Sequence, residues 1–219
     1  MMSAPLQAVV FDLDGVITDT ARFHFIAWAE LAQALGVPFD EEFNESLKGV
    51  DRMGSLDRIL ARASRHYGPD ERQVLAERKN LRYQRLIASM TADHLLPGAR
   101  DTLQAVRRAG LKTALASASR NAAAILLRLG IQDLFDVVVD ANLIERGKPD
   151  PEIFLCAASQ LNVRCAACLG VEDSVAGLRA IRAAGMRSLG IGDPQVLREA
   201  DDVIPSLAAF DVERYLRPA

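Results

Sequence analysis

Two acidic residues separated by one residue, Asp12 and Asp14, follow the apolar start of the stretch "VVFDLDGVITDT" at residues 9–20. Carboxylates this close repel each other and resist removal from water, so the pair indicates chemistry that needs both of them. One carboxylate could act as a nucleophile while the other exchanges a proton with a reacting oxygen. Their repulsion helps to separate their pKa values, so that one is ionised while the other is protonated.

Further polar residues follow other apolar runs, at points where strands are expected to end. They are Ser117, Lys148, Glu172 and Asp173. Ligands bind outside the carboxyl ends of the strands in an open α/β sheet, so we expect these residues to meet Asp12. Asp12 and Asp173, with Glu172 as a further candidate, offer the oxygen ligands that suit Mg²⁺. With Lys148 and Ser117 they would cradle a phosphoryl group, which predicts an aspartyl-phosphate on Asp12.

The elements that must position these residues alternate along the chain. Short apolar runs predict strands at 6–12, 112–117, 135–140, 168–173 and 187–192. Amphipathic runs predict helices at 23–36, 52–68, 71–90, 121–130, 151–162 and 175–185. The helix at 151–162 is expected to have Asp150 as its N-cap and Pro151 at its first position.

This alternation predicts an α/β fold with a Rossmann-like parallel sheet and helices on both faces. The all-helical stretch 16–92 interrupts the pattern after the first strand. We therefore expect it to be an inserted helical cap domain, with 1–15 and 93–219 forming the core domain.

One other explanation of the acidic pair can be tested against the sequence. A calcium-binding EF-hand loop starting at Asp12 would need a polar ligand at its fifth position and Glu at its twelfth. The chain has Val16 and Phe23 at those positions, which excludes that loop.

Composition limits the class of partner. The 219 residues contain 26 Lys and Arg and 29 Asp and Glu, a net charge of −3, so we expect no nucleic-acid partner. Arg58, Arg62 and Arg65 lie at helical spacing and are expected to form a solvated face. We expect no membrane partner either, because no run approaches the ~20 apolar residues that span a bilayer. The mild charge fits a monomer.

The cysteines indicate a reducing compartment. Cys156, Cys165 and Cys168 make an odd number, and the N-terminus has no basic stretch before its apolar run. These features predict a cytoplasmic protein with free thiols. The "CAAC" at 165–168 lacks the second pair of ligands that a zinc site needs, so small buried thiols are the expected state.

Four stretches together resemble the motifs of the haloacid dehalogenase (HAD) superfamily. They are "FDLDGVITDT", "ASAS" at 116–119, "GKPDPEIF" at 147–154 and "GVEDS" at 170–174. The first stretch has a second acidic residue, Asp14, and in this it resembles the phosphotransferase branch of that superfamily. The resemblance covers essentially the whole chain, and it is specific for fold and phosphoryl chemistry rather than for substrate.

The expected cap narrows the resemblance to the β-phosphoglucomutase family. The stretches that carry it are "HFIAWAELAQALGVPFDEEFNESLKGVDR" at 24–52, "RKNLRY" at 78–83 and "ALASASRN" at 114–121. The resemblance implies a cytoplasmic isomerase that interconverts β-D-glucose 1-phosphate and glucose 6-phosphate. It further implies one Mg²⁺ ion, an aspartyl-phosphate and a β-glucose 1,6-bisphosphate intermediate. The metal set that we expect is Asp12, Asp14, Glu172 and Asp173.

The same resemblance implies roles for other residues. Arg52 would bind the phosphate that is not transferred, together with residues of the core. Gly49 and Val50 would bring backbone close to the sugar, and His24 and Thr20 would couple cap closure to catalysis by Asp12 and Asp14. The full substrate-binding set that we expect is Gly49, Val50, Arg52, Lys79, Ser117, Ala118, Ser119, Arg120, Asn121 and Lys148.

This chain departs from the family pattern at two places. Arg120 stands where a Lys is often found, which should alter the geometry of phosphate binding without abolishing it. The residues around Arg52 also differ, and Gly54 is expected to weaken the start of the following helix.

Two alternatives remain open. A Mg²⁺-dependent sugar-phosphate phosphatase would share Asp12, Asp14, Ser117, Lys148 and Asp173 without needing a second phosphate site. A sugar-phosphate-binding regulator would need no catalysis at all, and the presence of the four charged residues among these argues against it.

Overall fold

The structure is a computed structural model that describes residues 5–47 and 50–216. Contacts within the chain divide it into two compact units. The sheet unit comprises Met1–Asp19 and Thr91–Ala219, and the helical unit comprises Thr20–Met90.

These boundaries lie a few residues from those expected after residue 15 and before residue 93. The turn that follows the first strand closes on itself, because the N–H groups of Ile17 and Thr18 both donate to the carbonyl of Leu13. The N–H of Leu96 then donates to the carbonyl of Ile17 at 2.9 Å, which fastens the turn to the returning chain. Residues 16–19 therefore belong to the sheet unit.

The described residues form the following elements. The strands are β1 (Ala8–Phe11), β2 (Lys112–Leu115), β3 (Val137–Val138), β4 (Cys168–Glu172), β5 (Arg187–Ile191) and β6 (Asp202–Ile204). The helices are α1 (Ala21–Ala34), α2 (Glu41–Glu45), α3 (Arg52–Leu60), α4 (Pro69–Ile87), α5 (Ala99–Arg108), α6 (Ala122–Leu129), α7 (Glu152–Leu161), α8 (Val175–Ala183) and α9 (Val212–Leu216).

The strands of the sheet unit form one parallel sheet in the order β3-β2-β1-β4-β5-β6. All residues of β1 are buried, and successive side chains of a strand point to opposite faces, so both faces are covered. Helices α7 and α8 contribute Phe154 and Ile181 to the cluster that contains Ala8 and Val10. The predicted parallel sheet with helices on both faces is confirmed. Parallel pairing also brings the carboxyl ends of β1, β2 and β4 to one edge.

The helical unit has its own core. Helix α1 packs against α4, and α3 also packs against α4. Trp28, Leu31, Leu56 and Ile59 are buried in one cluster at these contacts. None of the helices between residues 5 and 216 that the structure describes has the length and apolar character needed to cross a membrane.

Several elements differ from the sequence-based expectation. Strand β6 and helices α2, α5 and α9 were not predicted, although in α5 Ala99, Leu103 and Val106 follow helical spacing and are buried. The helix expected at 52–68 ends at Leu60. Helix α7 begins at Glu152 rather than Pro151, and Asp150 accepts a hydrogen bond from the Glu152 N–H at 3.0 Å.

The cysteines are free thiols, as predicted. Cys168 is buried in β4, and burial, with a smaller contribution from Cys165, raises the pKa of its thiol to about 12. A thiol with so high a pKa is a poor nucleophile near neutral pH, so Cys168 has the chemistry of a structural thiol. Cys156 and Cys165 are half-buried, whereas the sequence predicted buried thiols in the "CAAC" stretch.

Candidate active site

Asp12, Lys148 and Glu172 form a buried charged cluster at the carboxyl edge of the sheet. Asp12 follows β1 and Glu172 ends the neighbouring β4, so the sheet places the two carboxylates side by side. The Lys148 ammonium donates to Asp12 Oδ1 at 2.6 Å and to Glu172 Oε2 at 2.7 Å. The side chains of Lys148, Asp12 and Glu172 are only 9%, 11% and 2% exposed. Buried charges of this kind are stable only when they are paired.

Burial changes the acidity of the cluster. Burial, reinforced by the charges of Glu172 and Asp14, raises the pKa of Asp12 to about 7 in spite of Lys148. Asp173 is exposed at the surface, but partial desolvation by its neighbours and the nearby charges of Glu172 and Asp12 raise the pKa of its carboxyl to about 8. Burial alone would lower the pKa of Lys148, but its carboxylate partners outweigh that effect and raise it above its usual value. Lys148 therefore stays charged while the carboxylates compete for too little positive charge.

Three carboxylates of this edge can meet at one cation. Asp12, Glu172 and Asp173 each offer an oxygen, and these oxygens lie within 4.8 Å of one another. Hard carboxylate oxygens suit Mg²⁺, and the excess of negative charge favours a divalent cation here. The Asp14 side chain, which the sequence placed in the metal set, is not part of this group.

Two glycines leave room for the carboxylates. A Cβ at Gly15 would overlap the carboxylate of Asp173, and a Cβ at Gly177 would overlap that of Glu172. Gly15 also has a φ of 76°, a left-handed conformation that side chains disfavour. Sequence reasoning identified Gly15 only as a turn residue and missed Gly177, whose contact with Glu172 depends on how α8 packs.

Neighbouring side chains hold Glu172 in place. Ser174, the N-cap of α8, donates from its hydroxyl to Glu172 Oε1 at 2.8 Å and from its N–H at 3.2 Å. The Ser174 hydroxyl also accepts from the Gly177 N–H at 3.1 Å. Sequence reasoning missed this role, although Ser174 lies within the "GVEDS" stretch.

The loop that carries Lys148 is fastened to α7. Glu152, the first residue of α7, accepts hydrogen bonds from the N–H groups of Glu145 at 2.8 Å and Arg146 at 3.0 Å. These bonds hold the backbone two and three residues before Lys148.

Ser117 to Asn121 form a turn between β2 and α6. The buried Ser117 hydroxyl accepts from the Ser119 N–H at 3.1 Å, and the Ser119 hydroxyl accepts from the Asn121 N–H at 3.3 Å. Ala118 and Arg120 are exposed in this turn. The N-terminus of a helix, with its free N–H groups, favours anions, so the turn suits a phosphate.

Asp14 lies in the turn after β1 and is half-buried. It pairs with Thr18 in an isolated bridge, and the Gly15 N–H donates to the Thr18 carbonyl at 2.8 Å. The charge of Asp14 contributes to the raised pKa of Asp12, so the two carboxylates of the opening motif lie within electrostatic reach of each other.

The helical unit brings together Thr20, His24 and Lys79 through Tyr83. Lys79 is buried, and its Nζ lies 2.8 Å from His24 Nδ1 and 4.5 Å from the centre of the Trp28 ring. The Tyr83 ring lies against His24 at a tilt of 40° with ring centres 4.1 Å apart, and the Tyr83 hydroxyl donates to Thr20 Oγ1 at 3.0 Å. Sequence reasoning missed Tyr83, although its spacing of four residues from Lys79 puts both on one face of α4.

The electrostatics of His24 follow from these contacts. Burial, followed by the positive charges of Lys79 and Arg52, lowers the pKa of His24 well below its usual value. The imidazole is therefore neutral near pH 7, and its Nδ1 accepts from the Lys79 ammonium, which leaves the proton on Nε2.

Arg52 begins α3 and follows the half-buried Val50 by two residues. Asp51 caps α3 by accepting from the N–H groups of Met53 at 2.9 Å and Gly54 at 3.1 Å. A Cβ at Gly54 would lie 2.9 Å from the Val50 side chain and 3.1 Å from the Asp51 carboxylate, so the glycine allows a tight helix start. The predicted Gly49 lies outside the described residues.

Comparison with known proteins places this site in a family. Residues 6–185 match the haloacid dehalogenase-like hydrolase family, and the chain belongs to it. The superfamily predicted from the four motifs is thereby confirmed.

Individual relatives cover almost the whole chain. The chain is 46% identical over 210 residues to β-phosphoglucomutase of Bacillus subtilis, and the aligned residues cover 95% of this chain and 93% of that protein. It is 32% identical over 205 residues to a phosphorylated carbohydrates phosphatase of Thermotoga maritima, covering 90% of this chain and 93% of that protein. The crystal structure of β-phosphoglucomutase from Clostridium difficile superposes with a TM-score of 0.92 at 42% identity, covering 96% of this chain and 97% of that one.

Proposed function

We propose that this chain is a β-phosphoglucomutase that interconverts β-D-glucose 1-phosphate and glucose 6-phosphate. The observation that carries the proposal is the 46% identity over 95% of the chain to the B. subtilis protein of that name. The buried cluster of Asp12, Lys148 and Glu172 supports it, because that cluster suits phosphoryl transfer.

Asp12 is the nucleophile in this proposal. Its Oδ1 is held by Lys148 at 2.6 Å, which leaves the other carboxylate oxygen for phosphorus. Asp12, Glu172 and Asp173 are the residues that would hold one Mg²⁺ ion, with Asp14 as a further candidate. A bound Mg²⁺ ion neutralises charge on the phosphoryl group and reduces its repulsion from the carboxylate.

The reaction passes the phosphoryl group through the enzyme. The carboxylate of Asp12 attacks the phosphorus of the phosphate on O1 of β-glucose 1,6-bisphosphate. The bond between phosphorus and O1 breaks as Asp14 gives its proton to O1. Glucose 6-phosphate leaves, and β-glucose 1-phosphate binds to the phosphorylated enzyme. Asp14 then takes the proton of the C6 hydroxyl while O6 attacks the aspartyl-phosphate, which forms the bisphosphate and frees Asp12.

The remaining residues bind the substrate. Ser117, Ala118 and Lys148 are proposed to contact the transferring phosphoryl group. The phosphate that stays is proposed to bind to Arg52 of the helical unit and to Ser119, Arg120 and Asn121 of the sheet unit. Arginine suits this role because its planar head group forms two parallel hydrogen bonds to phosphate.

Residues of the helical unit complete the proposal. Gly49 and Val50 are proposed to contact the sugar, and His24, Thr20 and Lys79 to link the helical unit to catalysis. The contacts among Thr20, His24, Lys79 and Tyr83 support a coupled group. We take the acting form to be a single chain, because every residue with a role belongs to one copy.

The decisive experiment supplies β-glucose 1-phosphate, Mg²⁺ and a trace of β-glucose 1,6-bisphosphate, and follows the products by phosphorus NMR. We expect glucose 6-phosphate to accumulate without an equal amount of inorganic phosphate, and Asp12→Asn to abolish its formation. Release of inorganic phosphate alone would overturn the mutase proposal in favour of a phosphatase, the activity that the name of the T. maritima relative states. Failure of a phosphoryl donor to label Asp12 in the presence of Mg²⁺ would exclude both enzymes.

A further inference from the structure

Two arginines of the helical unit contact the short helix α2. Arg58, on α3, donates from Nη1 to the carbonyl of Ser46 at 2.5 Å. Arg62, in the turn after α3, places its guanidinium carbon 3.5 Å from the centre of the Phe43 ring. Both residues are exposed, as the sequence predicted, yet each head group has a defined contact within the unit.

Helix α2 needs such contacts because it has only five residues. An isolated helix of this length does not form in water. Asp40 caps its first turn by accepting from the Phe43 N–H at 2.7 Å, and Ser46 is its C-cap. The Arg58 head group satisfies the exposed Ser46 carbonyl and places a positive charge at the C-terminal end of the helix, where cations are favourable.

The chain after α2 is also fastened to α3. The Ser55 hydroxyl donates to the carbonyl of Val50 at 3.3 Å. Leu47 is buried in the core of the helical unit, and the Val50 N–H donates to its carbonyl at 3.1 Å. Side chains of α3 therefore bind the backbone at Ser46, which ends α2, and at Val50, two residues before Arg52.

We infer that Arg58 is a positioning residue for substrate recognition, an inference that rests on the proposed function. In that function Val50 and Arg52 contact the sugar phosphate; Val50 lies between α2 and α3, and Arg52 is the first residue of α3. Without Arg58 the end of α2 loses a charge-assisted hydrogen bond, and the following backbone samples more conformations. Sugar-phosphate binding must then supply the order that Arg58 otherwise provides.

The test separates substrate recognition from phosphoryl chemistry. For Arg58→Ala we expect the KM for β-glucose 1-phosphate to rise about tenfold, with a smaller change in kcat. The rate at which acetyl phosphate labels Asp12 should stay within about twofold of the parent rate, because that reaction uses the sheet unit. Arg58→Lys, which keeps a charged donor, should recover part of the KM.

Hydrogen exchange supplies an independent measurement of the same inference. We expect Arg58→Ala to speed exchange at the Leu47 and Val50 amides, and Arg85→Ala, at an exposed position of α4, to leave exchange and KM unchanged. An unchanged KM with unchanged exchange, or equal losses of isomerisation and Asp12 labelling, would overturn the inference. A parent enzyme that never forms glucose 6-phosphate would overturn the proposed function instead, and the exchange rates would still decide whether Arg58 orders this segment.

Discussion

At the scale of single residues, Lys148 and Asp173 define what the sheet edge can bind. Lys148 is shared between Asp12 and Glu172, so its one positive charge cannot offset three clustered carboxylates. Desolvation, reinforced by that excess of negative charge, raises the pKa of Asp12 to about 7 and that of Asp173 to about 8. A divalent cation would neutralise the excess negative charge of the carboxylates. An incoming phosphoryl group, which is itself negative, would then meet less electrostatic repulsion.

Gly15→Ala tests the space that Asp173 needs. The new Cβ would overlap the Asp173 carboxylate, so we expect Asp173 to turn away and Mg²⁺ affinity to fall about 10–100-fold in isothermal titration calorimetry. Gly185→Ala is the matched control: its φ of 75° imposes the same backbone strain, but nothing lies within 4 Å of its Cβ. Both variants should lose about 1–2 kcal/mol of stability from that strain. Equal Mg²⁺ affinities in the two variants would show that Asp173 does not need the space at Gly15.

At the scale of elements, the packing of α1 against α4 produces the buried group of the helical unit. His24 comes from α1 and Lys79 and Tyr83 from α4, so no single helix contains the group. The Lys79 ammonium is surrounded by the rings of Trp28 and Tyr83, which stabilise a cation by their negative faces. A half-buried neutral imidazole next to a buried cation makes the helical unit sensitive to acid.

The lowered pKa of His24 therefore makes the free energy of unfolding depend on pH. Its pKa is lowered in the folded state, while the unfolded chain binds a proton near pH 6.5. The stability that the neutral imidazole contributes is fully present above pH 6.5 and is lost as the pH falls below it, by up to about 1.4 kcal/mol per pH unit. We expect His24→Gln to flatten this slope between pH 6.5 and 5.5 in denaturant titrations.

The comparison between parent and variant is needed because other groups act in the opposite direction. The raised pKa values of Asp12 and Asp173 mean that their contribution to stability is present at low pH and is lost as the pH rises through about 7 and 8. Their effect is common to both proteins and cancels in the difference. Identical slopes for parent and His24→Gln would contradict the role assigned to the imidazole.

At the scale of the whole molecule, the sequence predicts the features that depend on local patterns of apolar and polar residues. Asp12, Ser117, Lys148 and Asp173 could be placed at one edge because strand–helix alternation implies parallel strands, and parallel strands share an edge. Tyr83 could not be assigned, since its role depends on how α1 packs against α4, and β6 was missed because three residues carry too little periodicity. The sequence therefore identifies the charged groups of the site, while the residues that hold them in place depend on contacts between distant parts of the chain.

The division into two units predicts a separation of functions, which Arg52→Ala tests. The carboxylates and Lys148 belong to the sheet unit, so labelling of Asp12 by acetyl phosphate should stay within about twofold of the parent rate. Isomerisation also needs the phosphate that is not transferred to be held, so its kcat/KM should fall about a hundredfold when a bidentate arginine is removed. The kcat/KM of Arg52→Lys for isomerisation should lie between those of the parent and of Arg52→Ala, because lysine keeps the charge but loses the planar pair of donors. Equal losses of labelling and isomerisation in Arg52→Ala would mean that Arg52 serves the chemical step or the fold, and a mutase would then need another residue to hold its second phosphate.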